Sequence, residues 1–83
     1  MQILYFAWLR ERIGKTGEEL TPPSTITTAR ALVGWLRGQG AGYAAAFADE
    51  KLIRCAINQE FCPLDSSLEG VREIAFFPPV TGG

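Results

Sequence analysis

The spacing of apolar and polar positions changes several times along this chain, and each change marks an element. Residues 2–7 (Gln-Ile-Leu-Tyr-Phe-Ala) read as a strand rich in aromatic and β-branched side chains. Leu9 and Ile13 then fall at i, i+4, which predicts a short helical turn stopped by Gly14. Glu18 to Thr21 predicts a second short strand, ended by Pro22-Pro23. The clearest helix follows. Thr27 or Thr28 can cap it, and Ala29, Leu32, Val33 and Leu36 make an i, i+3, i+4, i+7 stripe with Trp35 at its edge. Gly38 and Gly40 end it. Residues 42–48 predict another short helix anchored by Phe47. Ile53, Cys55 and Ile57 alternate with Arg54, Ala56 and Asn58 as a half-buried strand. Asn58-Gln59-Glu60 reads as a turn and Phe61-Cys62 as a short strand. Pro63 to Gly70 reads as a loop over Leu64 and Leu68, and Arg72 to Phe77 as the last strand.

Strands on both sides of one dominant amphipathic helix predict an α+β domain, a mixed sheet curled around that helix. The expected domain spans residues 1–77, and residues 78–83 form an extended C-terminal tail.

Composition narrows the function. The chain has 83 residues, 47% of them hydrophobic and 20% charged, enough for one compact core and too little charge for disorder. Eight basic residues against nine acidic leave a net charge of −1 and no excess to neutralise phosphates, which disfavours nucleic-acid binding. The longest apolar run, Ile3 to Leu9, is far short of the ~20 residues that span a bilayer, so no membrane segment is expected. There is no histidine, which removes the usual triad and the His-rich metal site. A self-sufficient enzyme and a bound cofactor are not expected. Cys55 and Cys62 match no zinc or redox spacing. The sequence leaves a disulfide open. Without a signal-peptide pattern, the expectation is a cytoplasmic protein with two reduced thiols and Cys55 in the core.

The end of the chain carries the strongest signal, Phe76-Phe77-Pro78-Pro79-Val80-Thr81-Gly82-Gly83. No charged side chain occurs from Ile74 onward. Two prolines fix φ near −65° and favour an extended exit from the sheet. Four residues remain beyond Pro79, reaching at most about 13–14 Å. The last two lack a Cβ, so the backbone can pass through a narrow channel. This is the form required if the terminal carboxylate is the working group. A carboxylate is a poor electrophile until activated, for instance as an acyl adenylate, from which a sulfur nucleophile can displace AMP to leave a thiocarboxylate.

The stretch Glu73-Ile74-Ala75-Phe76-Phe77-Pro78-Pro79-Val80-Thr81-Gly82-Gly83 closely resembles the end of molybdopterin synthase small subunits, the MoaD family of ubiquitin-like sulfur carriers. Phe6-Ala7-Trp8-Leu9-Arg10-Glu11, with Gly14 after it, is similar to the family's start, and Asn58-Gln59 also looks familiar. The resemblance implies a β-grasp fold, in agreement with the element order. It implies that Gly83 is adenylated by an E1-like adenylyltransferase using ATP, becomes a thiocarboxylate, and donates sulfur to cyclic pyranopterin monophosphate. Gly82, Thr81 and Val80 would lie in a tail channel of the large synthase subunit, which would supply the acid/base groups. A heterotetramer of two small and two large subunits is the implied assembly. Gly70-Val71-Arg72-Glu73 departs from the acidic turn usual in the family, and Pro22-Pro23 and the glycine-rich 38–42 stretch look local.

Strand parity adds a partner surface. If polar Gln2 faces outward, Met1, Ile3 and Tyr5 face the helix while Leu4 and Phe6 face out. In the last strand, Ile74 and Phe76 face in and Ala75 and Phe77 face out. With the first and last strands adjacent, as a β-grasp implies, Leu4, Phe6, Ala75 and Phe77 make one apolar patch at the root of the tail. The alternative is that loops cover these side chains. Arg10 and Arg12 are candidates for ionic contacts to a partner, or else solvated helix charges. Three other functions stay open: a carrier for thiazole (thiamine) or another sulfur product, a ubiquitin-like protein modifier, and a β-grasp adaptor with an inert tail.

Overall fold

The computed structural model describes residues 1–79. The chain runs β1 (Gln2–Tyr5), α1 (Ala7–Ile13), β2 (Gly17–Glu19), α2 (Ala29–Arg37), α3 (Ala41–Ala46), β3 (Arg54–Ile57), β4 (Glu60–Cys62) and β5 (Glu73–Phe77). The five strands form one sheet in the order β2-β1-β5-β3-β4. The central pair, β1 and β5, is parallel, and the other pairings are antiparallel. With α2 laid across one face, this is the β-grasp arrangement.

Local chemistry accounts for the element ends. Gly14 closes α1 at φ 85°, donating its N–H to the Arg10 carbonyl at 2.8 Å, a conformation that strains any residue with a Cβ. At the start of α2, the Thr28 Oγ1 accepts from the Ala31 N–H at 3.1 Å. Loop 63–70 serves α2 as well: the Ala29 and Arg30 N–H groups donate to Ser66 and Leu64 carbonyls at 3.0 and 2.7 Å. Those are donors that a helix N-terminus otherwise leaves without partners. The same loop buries Leu68 and half-buries Leu64.

The α2 stripe of Ala29, Leu32, Val33 and Leu36 is buried against Ile3, Tyr5, Cys55, Ile74 and Phe76 of the sheet. Phe47, just after α3, sits among them edge-on to Phe76 and Tyr5, with ring centroids 5.4 and 6.3 Å apart. Helix α3 packs on α1 at Gly42, where an added Cβ would lie 2.5 Å from the Arg12 carbonyl oxygen. A second link ties α3 to the sheet. The Glu18 carboxylate accepts from the Tyr5 and Tyr43 hydroxyls at 2.8 and 2.5 Å and pairs with Lys15 at 2.9 Å. Burial raises the Glu18 pKa, but the hydrogen bonds from Tyr43, Lys15 and Tyr5 outweigh it and hold the carboxyl below its ordinary value. Burial, together with the Glu18 hydrogen bond, raises both tyrosines.

Several boundaries differ from the sequence reading: the helix expected over 42–48 is Ala41–Ala46, with Phe47 just past its end, and the third and last strands are trimmed to Arg54–Ile57 and Glu73–Phe77. The first strand stops at Tyr5, because the backbone turns into α1 through Ala7 at φ 55°. The second strand is Gly17–Glu19 and ends before Leu20, whose N–H still bonds to the Met1 carbonyl at 2.9 Å. A short 3₁₀ turn, Glu50–Leu52, was not expected; Asp49 caps it by accepting from the Lys51 N–H at 3.0 Å. The turn after β3 has two residues, not three. Asn58 (φ 49°) and Gln59 (φ 71°) both take left-handed backbone, the form of tight hairpin that matches strand twist, and Glu60 already belongs to β4.

Candidate functional site

The outer face of the sheet is where the sequence-derived surface residues meet. Leu4 pairs with Ala75, Ala75 with Ala56, and Ala56 with Phe61, so one row crosses β1, β5, β3 and β4 in register. Side chains in one row share a face. The two alanines form a low floor, with Leu4 and Phe6 on one side and Phe61 and Phe77 on the other. The result is an apolar groove of about 510 Å³, rimmed by the polar residues Gln59 and Glu73. Phe6 is 46% and Phe61 82% exposed, high values for side chains of that size. The Phe61 and Phe77 rings lie 5.3 Å apart between centroids.

The orientations expected from parity hold for Leu4, Ala75 and Phe77, which alternate with buried Ile3, Tyr5, Ile74 and Phe76. Phe6 reaches the groove differently. It lies past the end of β1, in extended backbone at the N-terminal boundary of α1, and its N–H donates to the Phe76 carbonyl at 3.1 Å. Among the described residues the face stays open as this groove, with Leu4, Ala75 and Phe77 half-buried and Ala56 buried at its floor. Arg10 is exposed on α1, outside the groove lining, and makes no ion pair among the described residues. Arg12 is engaged within the chain, its guanidinium 4.3 Å from the centre of the Trp8 ring and bonded to the Ala45 carbonyl at 3.4 Å.

Two apolar lining residues escaped the sequence reading, Ala56 and Phe61, as did the polar rim of Gln59 and Glu73. The signal for Ala56 was present, since period two places it opposite Cys55. Phe61 required the two-residue turn, because a three-residue turn flips its face.

The groove ends where the tail begins. Phe77 is the last residue of β5, and Pro78 and Pro79 follow outside any strand. Pro79 lines a neighbouring depression with Arg54, Cys55, Phe61, Cys62 and Phe77, so the chain leaves the sheet beside the Phe61–Phe77 pair. Val80, Thr81, Gly82 and Gly83, the expected chemical end of the molecule, lie outside the described residues. Among the described residues no group of three or more His, Cys, Asp or Glu side chains could hold a metal ion, and no helix is long and apolar enough to cross a membrane.

Known proteins resemble this one over the full chain. The chain is 42% identical over 83 residues to the molybdopterin synthase sulfur carrier subunit of Haemophilus influenzae, covering 100% of this chain and 99% of that one. It is 37% identical over the same span, with the same coverage, to the molybdopterin synthase sulfur carrier subunit of Escherichia coli K12. Two solved structures share the fold. SAMP1 from Haloferax volcanii superposes with a TM-score of 0.70 at 24% identity, covering 100% of this chain and 98% of that one. A putative molybdopterin converting factor subunit 1 from Pyrococcus furiosus gives 0.68 at 22% identity and 95% coverage of each. The ThiS family profile matches residues 3–83, and with a match of that extent, on a β-grasp sheet that leads into a Gly-Gly end, the chain belongs to the ThiS family.

Proposed function

We propose that this chain is the sulfur-carrier small subunit of a molybdopterin synthase in the cytoplasm. The observation that carries the reading is the position of the apolar groove. Its far wall is Phe77, the residue from which the Pro78-Pro79-Val80-Thr81-Gly82-Gly83 tail departs. A partner that covers Leu4, Phe6, Phe61, Ala75 and Phe77 therefore holds the root of the tail and directs its end. That partner is the large synthase subunit, in a heterotetramer of two small and two large subunits. Arg10, exposed on α1, is available for an acidic group on the partner.

The chemistry runs through Gly83. An E1-like adenylyltransferase joins its carboxylate to AMP from ATP and releases pyrophosphate. A sulfur nucleophile then displaces AMP to leave the thiocarboxylate, which delivers sulfur to cyclic pyranopterin monophosphate in the large subunit. Val80, Thr81 and Gly82 thread the channel, where the absence of charge and of a Cβ at the end removes obstruction. Acid and base groups belong to the partner, consistent with a carrier that has no histidine.

The test is the intact mass of the chain after incubation with an E1-like activating enzyme, ATP and a sulfur source. The expected result is a gain equal to one oxygen-to-sulfur exchange, absent from a Gly83-deleted control. An unchanged mass, with the enzyme active on another carrier, overturns the reading in favour of an adaptor with an inert tail.

A further inference from the structure

The two cysteines do not line the apolar groove, yet the fold sets them face to face. Cys55 on β3 and Cys62 on β4 are directly opposed in the antiparallel ladder. Opposed residues in such a ladder have Cα atoms about 4.5–5.5 Å apart, inside the range of about 4.4–6.8 Å that a disulfide spans. The two sulfurs are 3.4 Å apart, and the Cys55 thiol also donates to the Cys62 carbonyl at 3.3 Å. Both are free thiols of unequal access: Cys55 is buried, whereas Cys62 is half-buried. Cys62 lines two surface depressions, one shared with Arg30, Lys51 and Leu64 and the other with Phe77 and Pro79; Cys55 borders the second as well but is only 1% exposed. A small solute can thus approach one sulfur from outside while the other waits behind it.

We propose that Cys55 and Cys62 form a reversible redox pair that low-molecular-weight disulfides of the glutathione type convert to a cross-strand disulfide, with Cys62 attacking and Cys55 resolving. The Cys62 thiol loses its proton to solvent and its sulfur attacks the small disulfide. A mixed disulfide forms on Cys62, the small S–S bond breaks, and one small thiolate leaves and takes up a proton. Cys55 then gives up its proton and attacks the Cys62 sulfur, expelling the second small thiol as the mixed bond breaks. Two protein thiols are oxidised by two electrons, and one small disulfide is reduced to two thiols. Burial, assisted by the hydrogen bond with Cys62, pushes the Cys55 thiol up to about 12, so it stays protonated and does not open the exchange, while the 3.4 Å separation puts the Cys62 sulfur within its reach. The product staples β4, the edge strand that carries Phe61 into the groove.

The reduced full chain is incubated with excess oxidised glutathione, then followed by intact mass, thiol alkylation and peptide mapping. The expected product is a monomer lighter by two hydrogens, with a Cys55–Cys62 linked peptide and neither thiol open to alkylation. Excess reduced glutathione reverses it. The oxidised chain should melt roughly 10 °C higher. Cys55→Ala should stop at a mixed disulfide on Cys62, and Cys62→Ala should take no adduct. Two free thiols, a stable mixed disulfide or an intermolecular dimer from the unmutated chain overturns the pair. An adduct on Cys55 in Cys62→Ala overturns the assigned order. The decisive reading uses the unmutated chain, so a variant that folds poorly does not blunt it.

Discussion

The two faces of the sheet are built by alternate residues of the same strands, and their fates differ. On the inner face, Ile3, Tyr5, Cys55, Ile74 and Phe76 are at most 1% exposed beneath Leu32, Val33 and Leu36 of α2. On the outer face Leu4, Ala56, Ala75 and Phe77 are just as apolar, but no helix lies over them and Phe61 projects into solvent. Strands apolar on both sides are usual where helices cover both sides. Here every helix contributes to the one core. Apolarity states that a side chain gains from cover, whereas the arrangement of the helices decides whether the chain supplies that cover itself. The uncovered face is the one that borders the tail.

The largest test of this contrast is a pair of neighbours. Phe76→Ala should cost about 3–5 kcal/mol of folding stability, while Phe77→Ala should cost less than about 1 kcal/mol. Denaturant titration of both variants measures it, and equal losses would erase the distinction between the faces. Gly42→Ala probes the helices that close the inner side. With its new Cβ against the Arg12 carbonyl, it should lose about 1–3 kcal/mol, read from the same titration.

The Glu18 network gives a pH signature confined to the covered side. Its carboxyl is held below 4.5, so its contribution is complete above that value and is lost as pH falls through the lower, folded-state value. Tyr5 and Tyr43 are raised above 10.0, so their contribution is complete below that value and is lost as pH rises past it. The melting temperature should be level between about pH 5 and 9 and fall on both sides, and Glu18→Gln should flatten the acid limb while only weakening the alkaline one, because burial is the larger cause of the raised tyrosines. The smallest effect on folding is expected from Phe61→Ala, within about 0.5 kcal/mol. The same substitution should weaken binding to the large synthase subunit by about tenfold, near 1.4 kcal/mol, in a titration of the purified subunits. Unchanged binding would leave the outer face without a role in docking.

Features encoded within a few residues could be read without coordinates. The α2 stripe, the Thr28 cap and the Gly14 stop depend on neighbours one to four positions away, and all three are in the structure. Strand parity gave Leu4, Ala75 and Phe77 their direction for the same reason. The Asp49-capped turn was missed because it is too short to show a period. Phe61 was missed because its face depends on whether the hairpin turn holds two residues or three. That choice rests on Asn58 and Gln59 both accepting left-handed backbone, a conformation uncommon outside glycine.

The residues alone were enough to establish the α+β class, the main helix, the inward and outward members of the first and last strands, and an uncharged Gly-Gly end. They were not enough to align Leu4, Ala75, Ala56 and Phe61 into one row, or to set Cys55 against Cys62. Both depend on register between strands from distant parts of the chain, and β1 and β5 come from its opposite ends. Periodicity is local and states which way a side chain points. Register is set by packing of the whole domain, and it decides which of those side chains meet.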